Sequence, residues 1–313
     1  MVRIRMGSAP SLVGRPWAFP KLAAGTVRPS QSPAHGPFRM STPLIARTLF
    51  RPGLLATVLV AAALPSCAQS QTEAPPLGLS GSVSLGVATM PRYEGSPNRR
   101  TAAAPDLSLS YRTADWGHVD LDHTGLGWTF LEQDALRAGL LLTADPGRKD
   151  HDVTGLGPAP GDDRLRGMGE VRASAEAGVT AGYGPLGLTY RRSLGDRGHR
   201  GAQLDLGLSW PVPVTDAFAL SFNAAASWAD QRYLQAYFGV TPEQSAASGY
   251  AVYTPKAGLH KVDLGIGAEY TLQPALKLRA SAGVSALGGD AKNSPIVAKK
   301  TGATGYVGLA YLF

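Results

Sequence analysis

The chain has 313 residues, of which 44% are hydrophobic, a formal net charge of +7 and one cysteine. Eight of its 30 basic residues and none of its 23 acidic residues lie in residues 1–68, which leaves 22 basic residues in the remainder. Such a nearly neutral body lacks the clustered basic face that nucleic acid binding requires, and one thiol excludes an intrachain disulfide.

The first part of the chain has the pattern of a secretory leader. Two arginines precede the eleven-residue apolar run LLATVLVAAAL (54–64), and small residues follow it. This run is too short to cross a bilayer as a helix. We expect cleavage after Ala68, which removes Cys67. The alternative interpretation treats LPSC (64–67) as a lipoprotein box in which Cys67 is lipidated.

These features divide the chain into four segments. Residues 1–39 have no clear pattern and are expected to be an untranslated or unstructured extension before a start at Met40. The signal peptide is expected over residues 40–68, a short linker over residues 69–76 and a single folded domain over residues 77–313. The signal peptide predicts export across the inner membrane.

The folded domain alternates apolar and polar residues in segments of about ten, a length typical of tilted membrane-spanning strands and longer than the usual soluble strand of about five or six. The clearest segment is EVRASAEAGVTAGY (170–183), which places Val171 and Val179 on one face and Glu170 and Glu176 on the other. Further segments of this kind lie near residues 203–210, 218–227, 262–271 and 276–284.

Short and long connections alternate along the domain. Tight turns are predicted near residues 113–115, 132–134, 184–185, 211–216 and 272–274, and longer loops near 91–102, 146–168, 195–200, 229–257 and 288–301. Short periplasmic turns and long external loops are typical of outer-membrane barrels. A break near Thr124 keeps the alternation strict and brings the count to twelve. The sequence therefore predicts an all-β, antiparallel, up-and-down transmembrane β-barrel of about twelve strands.

Aromatic residues occur close to the predicted periplasmic turns, where rings favour the boundary between lipid and water. They are Tyr111, Phe130, Tyr183, Trp210, Phe218, Tyr270 and Phe313. An alternative is that strand ends attract aromatic residues in any β-protein. The pattern favours an aromatic girdle around the periplasmic end of the barrel.

The last segment, YVGLAYLF, places Val307, Leu309, Tyr311 and Phe313 on one face. An alternating strand with a final aromatic residue resembles the signal that the barrel-assembly machinery recognises. We expect this strand to close the barrel by pairing with the first strand, near GSVSLGVATM (81–90).

Few residues suggest chemistry. His118, Asp120 and Asp122 share a strand face, with His123 beside them, and could bind a metal or form a hydrolytic site. The favoured interpretation is a polar barrel interior, without a catalytic group, a metal or a cofactor. An acidic pair in a loop, Asp162 and Asp163, belongs to the same set of candidates. Three separate histidines are expected to be loop or rim residues: His151, His199 and His260.

The long loop after Trp228 is unusually aromatic. It contains Tyr233, Tyr237, Phe238, Tyr250 and Tyr253. Two functional interpretations are a partner-binding loop and a loop that plugs the lumen. The structural alternative is a loop that folds into the barrel mouth only to bury its own side chains.

Several irregular stretches resemble the MipA/OmpV family of outer-membrane proteins. They are LGVATMPRYEGS (85–96), LRGMGE (165–170), YFGVTPEQSAASGY (237–250), DAKNSPIV (290–297) and the terminal YVGLAYLF. The resemblance covers about residues 77–313. It implies an outer-membrane β-barrel and, since the family has no defined catalytic motif, it supplies no catalytic residues.

The resemblance also suggests a function. It implies a non-enzymatic scaffold that brings a lytic transglycosylase together with a murein synthase, with outer-membrane lipid and the barrel-assembly machinery as further partners. Three alternatives stay open: a channel or small-molecule uptake barrel, a surface antigen or adhesion factor, and a hydrolase that uses His118, Asp120 and Asp122.

Overall fold

A computed structural model describes residues 77–153 and 160–313, which form one closed antiparallel barrel of twelve strands. The predicted extension, signal peptide and linker, together with Cys67, lie outside the described residues. In the described ranges, no helix is both long enough and apolar enough to span a membrane.

Each strand pairs with its neighbours in the sequence, and the last strand pairs with the first. The strands are β1 Gly78–Pro91, β2 Arg99–Arg112, β3 His118–Asp122, β4 Gly125–Gln133, β5 Leu136–Asp145, β6 Ser174–Tyr183, β7 Leu186–Ser193, β8 Ala202–Pro213, β9 Phe218–Ala229, β10 Gly258–Gln273, β11 Leu276–Leu287 and β12 Thr301–Leu312. Two short helices, α1 Gln231–Phe238 and α2 Pro242–Ser248, lie between β9 and β10. The predicted fold class and strand number are confirmed.

The connections alternate in length as predicted. The short turns, which we assign to the periplasmic end, are residues 113–117, 134–135, 184–185, 214–217 and 274–275. At the other end lie six external loops: L1 (92–98), L2 (123–124), L3 (146–173), L4 (194–201), L5 (230–257) and L6 (288–300). The predicted break near Thr124 is the tight loop L2. Among residues 77–153 and 160–313, this end of the barrel therefore holds most of the residues that are not in strands.

One strand boundary was predicted wrongly. The alternation that begins at Glu170 suggests a strand from there, but β6 begins at Ser174. The regular pairing of β5 with β6 ends at Asp145 and Ser174. Just beyond β5, Gly147 has a φ of +75°, and a Cβ at that position would lie 2.0 Å from the Val171 carbonyl oxygen. Because β5 ends at Asp145, the residues before Ser174 have no membrane-spanning partner strand, and they belong to L3.

The outer surface of the barrel is apolar. Large hydrophobic side chains are exposed at alternate positions on every long strand, including Val83, Leu85, Val87, Leu140, Val179, Leu206, Phe222, Leu264, Val284 and Val307. An exposed apolar surface that surrounds the whole barrel is what a lipid bilayer covers. The inward positions are instead small or polar and are buried, as Ser82, Ser84 and Gln203 illustrate.

Aromatic residues form a girdle at the end with the short turns. Six of the seven predicted members are exposed: Tyr111, Phe130, Tyr183, Trp210, Tyr270 and Phe313. The seventh, Phe218, is half-buried. Trp116 adds to the girdle, since its ring lies 6.2 Å from that of Tyr111 and its carbonyl accepts a hydrogen bond from Trp128 Nε1 at 3.0 Å.

The seam between β1 and β12 closes the barrel. The backbones of Gly81 and Phe313 exchange two hydrogen bonds, of 2.8 and 3.0 Å, next to the paired residues Ser82 and Leu312. The pairing of the terminal segment with GSVSLGVATM is therefore as predicted. Inside the seam, the ring of Tyr306 covers Gly86, where a Cβ would lie 2.6 Å from the ring. This contact packs an aromatic ring over a strand position that has no side chain of its own.

The lipid-facing position of Leu85 predicts a depth-dependent cost of charge. Leu85→Arg near the middle of β1 is expected to destabilise the barrel by about 2–4 kcal/mol, because the guanidinium enters the bilayer core. Leu79→Arg is the matched control near the periplasmic end, where we expect about 0–1 kcal/mol. Urea unfolding in lipid vesicles measures both changes. Equal costs at the two positions would contradict the assigned membrane position.

The seam also makes the role of the final residue testable. Deletion of Phe313 removes both backbone hydrogen bonds to Gly81 and an exposed girdle ring, so we expect less heat-modifiable, folded protein in the outer membrane. Phe313→Tyr is the control and should assemble normally, because it retains the backbone bonds and an aromatic ring. Normal amounts of folded protein after the deletion would contradict an assembly role for Val307, Leu309, Tyr311 and Phe313.

Candidate functional site: the external cap

Five external loops, L1, L3, L4, L5 and L6, fold against one another, and we call this assembly the external cap. Two clusters of buried side chains hold it together. One contains Tyr93, Leu165, Met168, Val240 and Ile296, and the other contains Ala229, Tyr233, Leu234, Phe238 and Ala291. Each cluster draws residues from loops far apart in the chain. The loops therefore form one packed unit.

Helix α1 extends across the barrel mouth. Asp230 caps its first turn by accepting a hydrogen bond from the Tyr233 backbone N–H at 2.8 Å. The ring of Tyr233 lies 5.5 Å from that of His260 on β10, and the hydroxyl of Tyr237 donates to Asp145 at the end of β5. These two strands are five places apart in the closed order of twelve, so α1 contacts nearly opposite walls.

The chain around α2 folds from local signals in TPEQ (241–244). The side chain of Thr241 accepts from the Gln244 N–H, and the Gln244 side chain accepts from the Thr241 N–H, which completes a capping box. Pro242 occupies the first turn, and Gly249 ends the helix with a φ of +79°. The Gln244 amide also donates to the Met168 carbonyl at 2.5 Å, which joins L5 to L3.

Hydrogen bonds from side chains to backbone carbonyls join the remaining loops. They are Tyr93 Oη to Ile296 at 2.7 Å, Tyr250 Oη to Arg164 at 2.9 Å, Tyr253 Oη to Asp290 at 2.7 Å and Ser294 Oγ to Phe238 at 2.5 Å. Each bond satisfies a carbonyl that a loop would otherwise present to water or bury unpaired. Tyr93 therefore joins L1 to L6, Tyr250 joins L5 to L3, and Tyr253 joins L5 to L6.

Asp162 acts as a further junction between L1 and L3. Its fully buried carboxylate accepts hydrogen bonds from Ser96 Oγ at 2.6 Å, from the Asn98 amide at 3.2 Å and from the Arg164 N–H at 3.0 Å. A buried carboxylate is tolerated where donors surround it. The acidic pair is thereby separated, since Asp163 is exposed and pairs with Arg166 at 2.9 Å.

A charged network underlies the cap inside the barrel. The Glu176 carboxylate on β6 is fully buried and lies 3.2 Å from Arg191 Nε and 3.1 Å from His199 Nε2. Arg191 also contacts Asp205 and donates to Gln203 at 2.6 Å. Arg191 thereby places a cation beside the buried Glu176 carboxylate, which would be costly to leave without an ion-pair partner.

Arg148 differs from the other buried cations. It is 2% exposed, donates from Nη1 to the Tyr237 carbonyl at 2.6 Å and lies with its guanidinium carbon 5.9 Å from the centre of the Tyr237 ring. Its Nε has no hydrogen-bond partner among the described residues. Burial lowers the pKa of Arg148, whereas burial and then the charge of Asp145 raise the pKa of Tyr237 well above its usual value.

A cavity of about 890 Å³ lies between L3, L4 and L5. Its walls include four arginines, Arg148, Arg192, Arg200 and Arg232, together with Gln235. This volume is within the range of about 300–1,000 Å³ that small-molecule sites occupy. The cavity is open to solvent, because Arg200 and Arg232 are exposed.

The five aromatic residues predicted in L5 all lie in the cap. Tyr233 and Phe238 are buried, and the other three are half-buried against the clusters: Tyr237, Tyr250 and Tyr253. Their rings therefore pack inward, and three hydroxyl groups bind other loops or the barrel wall, those of Tyr237, Tyr250 and Tyr253. This placement agrees with a loop folded into the mouth and makes plugging the lumen the functional interpretation to be tested.

The structure brings together only part of the predicted set of His118, Asp120 and Asp122 on β3. His118 Nε2 lies 3.1 Å from Asp120 and its Nδ1 lies 3.5 Å from Glu132, near the periplasmic turns. Asp122 instead accepts from both the N–H and the hydroxyl of Thr124 in L2. Its role is therefore to stabilise a tight turn, apart from the other two.

A second polar group lies on the exposed side of L3. One ligand atom each from Asp150, His151 and Glu170 lies within 4.8 Å of the others. However, Lys149 Nζ is 2.6 Å from the Glu170 carboxylate, so the group already contains a cation. We do not interpret it as a metal site.

Sequence reasoning missed the residues that connect the cap to the barrel. His199 lies in L4 and His260 near the external end of β10, but neither is isolated, since both are almost fully buried and pack against Tyr233. Arg148 was not singled out at all. An available signal was Glu176, an acidic residue on the inward face of the clearest predicted strand, which requires a cationic or donor partner inside the barrel.

Solved structures with a related overall shape are outer-membrane proteins. OmpT of Vibrio cholerae is 10% identical, with 75% of this chain and 97% of that chain covered and a TM-score of 0.33. The translocator domain of the autotransporter NalP from Neisseria meningitidis is 12% identical, with 76% and 90% covered and a TM-score of 0.35. Because these TM-scores lie below 0.5, no conclusion about this chain depends on them. Among curated proteins, none matches the chain.

The family comparison is specific. The family described as "MltA-interacting protein MipA" matches residues 83–313, which include every strand except the start of β1. The match covers the barrel and all the loops of the external cap. It agrees with the closed barrel, its apolar outer surface and the resemblance carried by L1, L5 and L6. The chain therefore belongs to the MipA family and is an outer-membrane β-barrel protein.

Proposed function

We propose that this protein functions by binding, without catalysis, and that it holds a lytic transglycosylase, and with it a murein synthase, at the periplasmic face of the outer membrane. The observation that carries this proposal is the external cap. A barrel whose outer mouth is crossed by a packed helix is better suited to anchoring a partner than to passing solutes. The family description, which names an MltA-interacting protein, supports the choice of partner.

The periplasmic end limits how such a partner binds. Its turns are short, and the two longest are residues 113–117 and 214–217. Each presents an exposed apolar side chain, Trp116 or Val214, beside an exposed acid, Asp115 or Asp216. A small apolar contact with a charged rim is the usual anatomy of a modest protein interface. These two turns are therefore the proposed docking surface.

Capture on an immobilised lytic transglycosylase tests the scaffold. We expect detergent-extracted protein to be retained above an unrelated barrel and retention to fall when Val214→Asp and Trp116→Ala remove the apolar contacts. Pro185→Ala, in another periplasmic turn, is the matched control and should bind as the wild type does. Retention no greater than that of the unrelated barrel would reject the scaffold and leave the fold unaffected.

The uptake channel is the second candidate, and the cavity with its arginine lining is the observation in its favour. The two candidates differ in whether the mouth is closed. We expect wild-type protein in planar bilayers to give little steady conductance, because α1 contacts both β5 and β10.

Phe238 provides a direct test of closure. It is 1% exposed in an apolar cluster, so Phe238→Asp buries an unpaired charge and is expected to release α1 and increase conductance and protease cleavage of L5. Gln231→Asp, at an exposed position of the same helix, is the control and should behave as the wild type. A steady current through the wild-type protein would favour the channel.

A further inference from the structure

We propose that the cavity of the external cap is a binding site for a phosphorylated sugar, with the arginines holding the phosphate and Gln235 contacting a hydroxyl. The site lies at the external end of the barrel and is independent of the proposed periplasmic scaffold. Its ligand is either a free sugar phosphate or the phosphorylated amino-sugar head group of an outer-leaflet lipid, which have the same chemistry.

The first argument is the charge of Arg148. A guanidinium that is 2% exposed has lost its hydration, and it donates a hydrogen bond to a neutral carbonyl, that of Tyr237. No ion pair joins it to a carboxylate among the residues that the structure describes, and its Nε is unpartnered. The Tyr237 ring is an aromatic neighbour of the cation, but burial of a guanidinium without an ion-pair partner remains costly. An anion in the cavity that Arg148 lines would supply a countercharge in contact with it.

The remaining lining residues add to the positive charge. Arg148, Arg192, Arg200 and Arg232 outnumber the two carboxylates of the wall, and Glu170 is already paired with Lys149. Arginine is suited to phosphate because its planar fork donates two parallel hydrogen bonds. An anion with several oxygens is therefore favoured over a carboxylate with two.

Backbone strain supports a site at this position. Arg200 has a φ of +52°, a left-handed conformation that residues with long side chains rarely adopt. Such conformations are unfavourable and persist where the surrounding structure imposes them, often at ligand sites. Here the next residue, Gly201, donates its N–H to His199 Nδ1 at 3.1 Å, and a Cβ at Gly201 would lie 2.4 Å from Asp230.

Two observations indicate a sugar in addition to the phosphate. The side-chain oxygen of Gln235 is buried without a hydrogen-bond partner among the described residues, so it is a free acceptor for a hydroxyl group. Gln235 and Arg148 both belong to the cavity wall. The volume of about 890 Å³ is also far larger than a phosphate ion requires.

Arg192 connects the cavity to the membrane. It lies at the external end of β7 on the face shared by Leu188 and Tyr190, which are exposed to lipid. Its side chain is therefore at the level of the outer-leaflet head groups. For this reason, a lipid head group and a free solute are both tested as sources of the phosphorylated sugar.

Titration calorimetry of the full chain, refolded in detergent free of lipopolysaccharide, tests the site with two probes. The first is glucosamine 1-phosphate, and its control is glucosamine, which lacks the phosphate group. The second is lipid A in phosphatidylcholine vesicles, with dephosphorylated lipid A as control. We expect binding of one phosphorylated probe or both and no binding of either control. Binding of the free sugar phosphate identifies a solute site, and binding of lipid A alone identifies a head-group site.

Variants locate the binding. Arg200→Gln with Arg232→Gln is expected to weaken binding at least about tenfold, because each arginine contributes a charge-assisted hydrogen bond. Arg197→Gln, in the same loop but outside the cavity wall, is the control and should stay within about twofold of the wild type. Arg148→Met should fold, since it replaces a buried charge that has no ion-pair partner among the described residues by an apolar chain of similar length, and should bind neither probe.

Three results would overturn the proposal. They are absence of binding to both phosphorylated probes, equal weakening by Arg197→Gln, and wild-type affinity in either the folded Arg148 variant or the double variant. If Arg148→Met does not fold, the double variant alone decides. None of these results bears on capture of a lytic transglycosylase, so the scaffold and the cavity are tested separately.

Discussion

The hydrogen-bond requirement of a backbone in lipid is the constraint on which this structure depends. Hydrocarbon offers no partner to a free N–H or C=O, so a sheet can cross a membrane only if its first and last strands meet. In this protein that junction is the β1–β12 pairing, which continues to the mutual backbone hydrogen bonds of Gly81 and Phe313. Closure in turn fixes which residues face lipid and which face the interior, and it leaves the chain free to vary only at the two ends.

The periplasmic and external ends of the barrel differ in structure. At the periplasmic end the chain reverses in a few residues, and aromatic rings mark the membrane boundary. At the external end, long loops bury their own apolar and tyrosine side chains against one another and against the barrel wall. The cap therefore has a core of its own, and the charged network of Glu176, Arg191 and His199 supports it from within the barrel. This division is the reason that we propose a binding function with a closed mouth and give transport second place.

The loops also explain why polar side chains give ambiguous signals in the sequence. Asp122 and Asp162 have carboxylates that could suggest chemistry, but both are used to stabilise loops. Arg148 has no sequence signal that distinguishes it, yet it is a buried cation whose Nε has no hydrogen-bond partner among the described residues. The difference arises because a loop residue acquires its partners from other loops, and no local pattern shows which loops will meet.

The sequence by itself determined the barrel, its twelve strands, the position of the short turns and the pairing of its ends. These features follow from period-two alternation and from the parity of turns and loops, both of which are local properties of a chain that must satisfy lipid on one face. Only the tertiary structure decided that β6 begins at Ser174, that His199 and His260 are buried beneath α1, and that four arginines share a cavity. Those arrangements depend on contacts between L3, L4 and L5, and loop–loop packing leaves no periodic trace in the sequence.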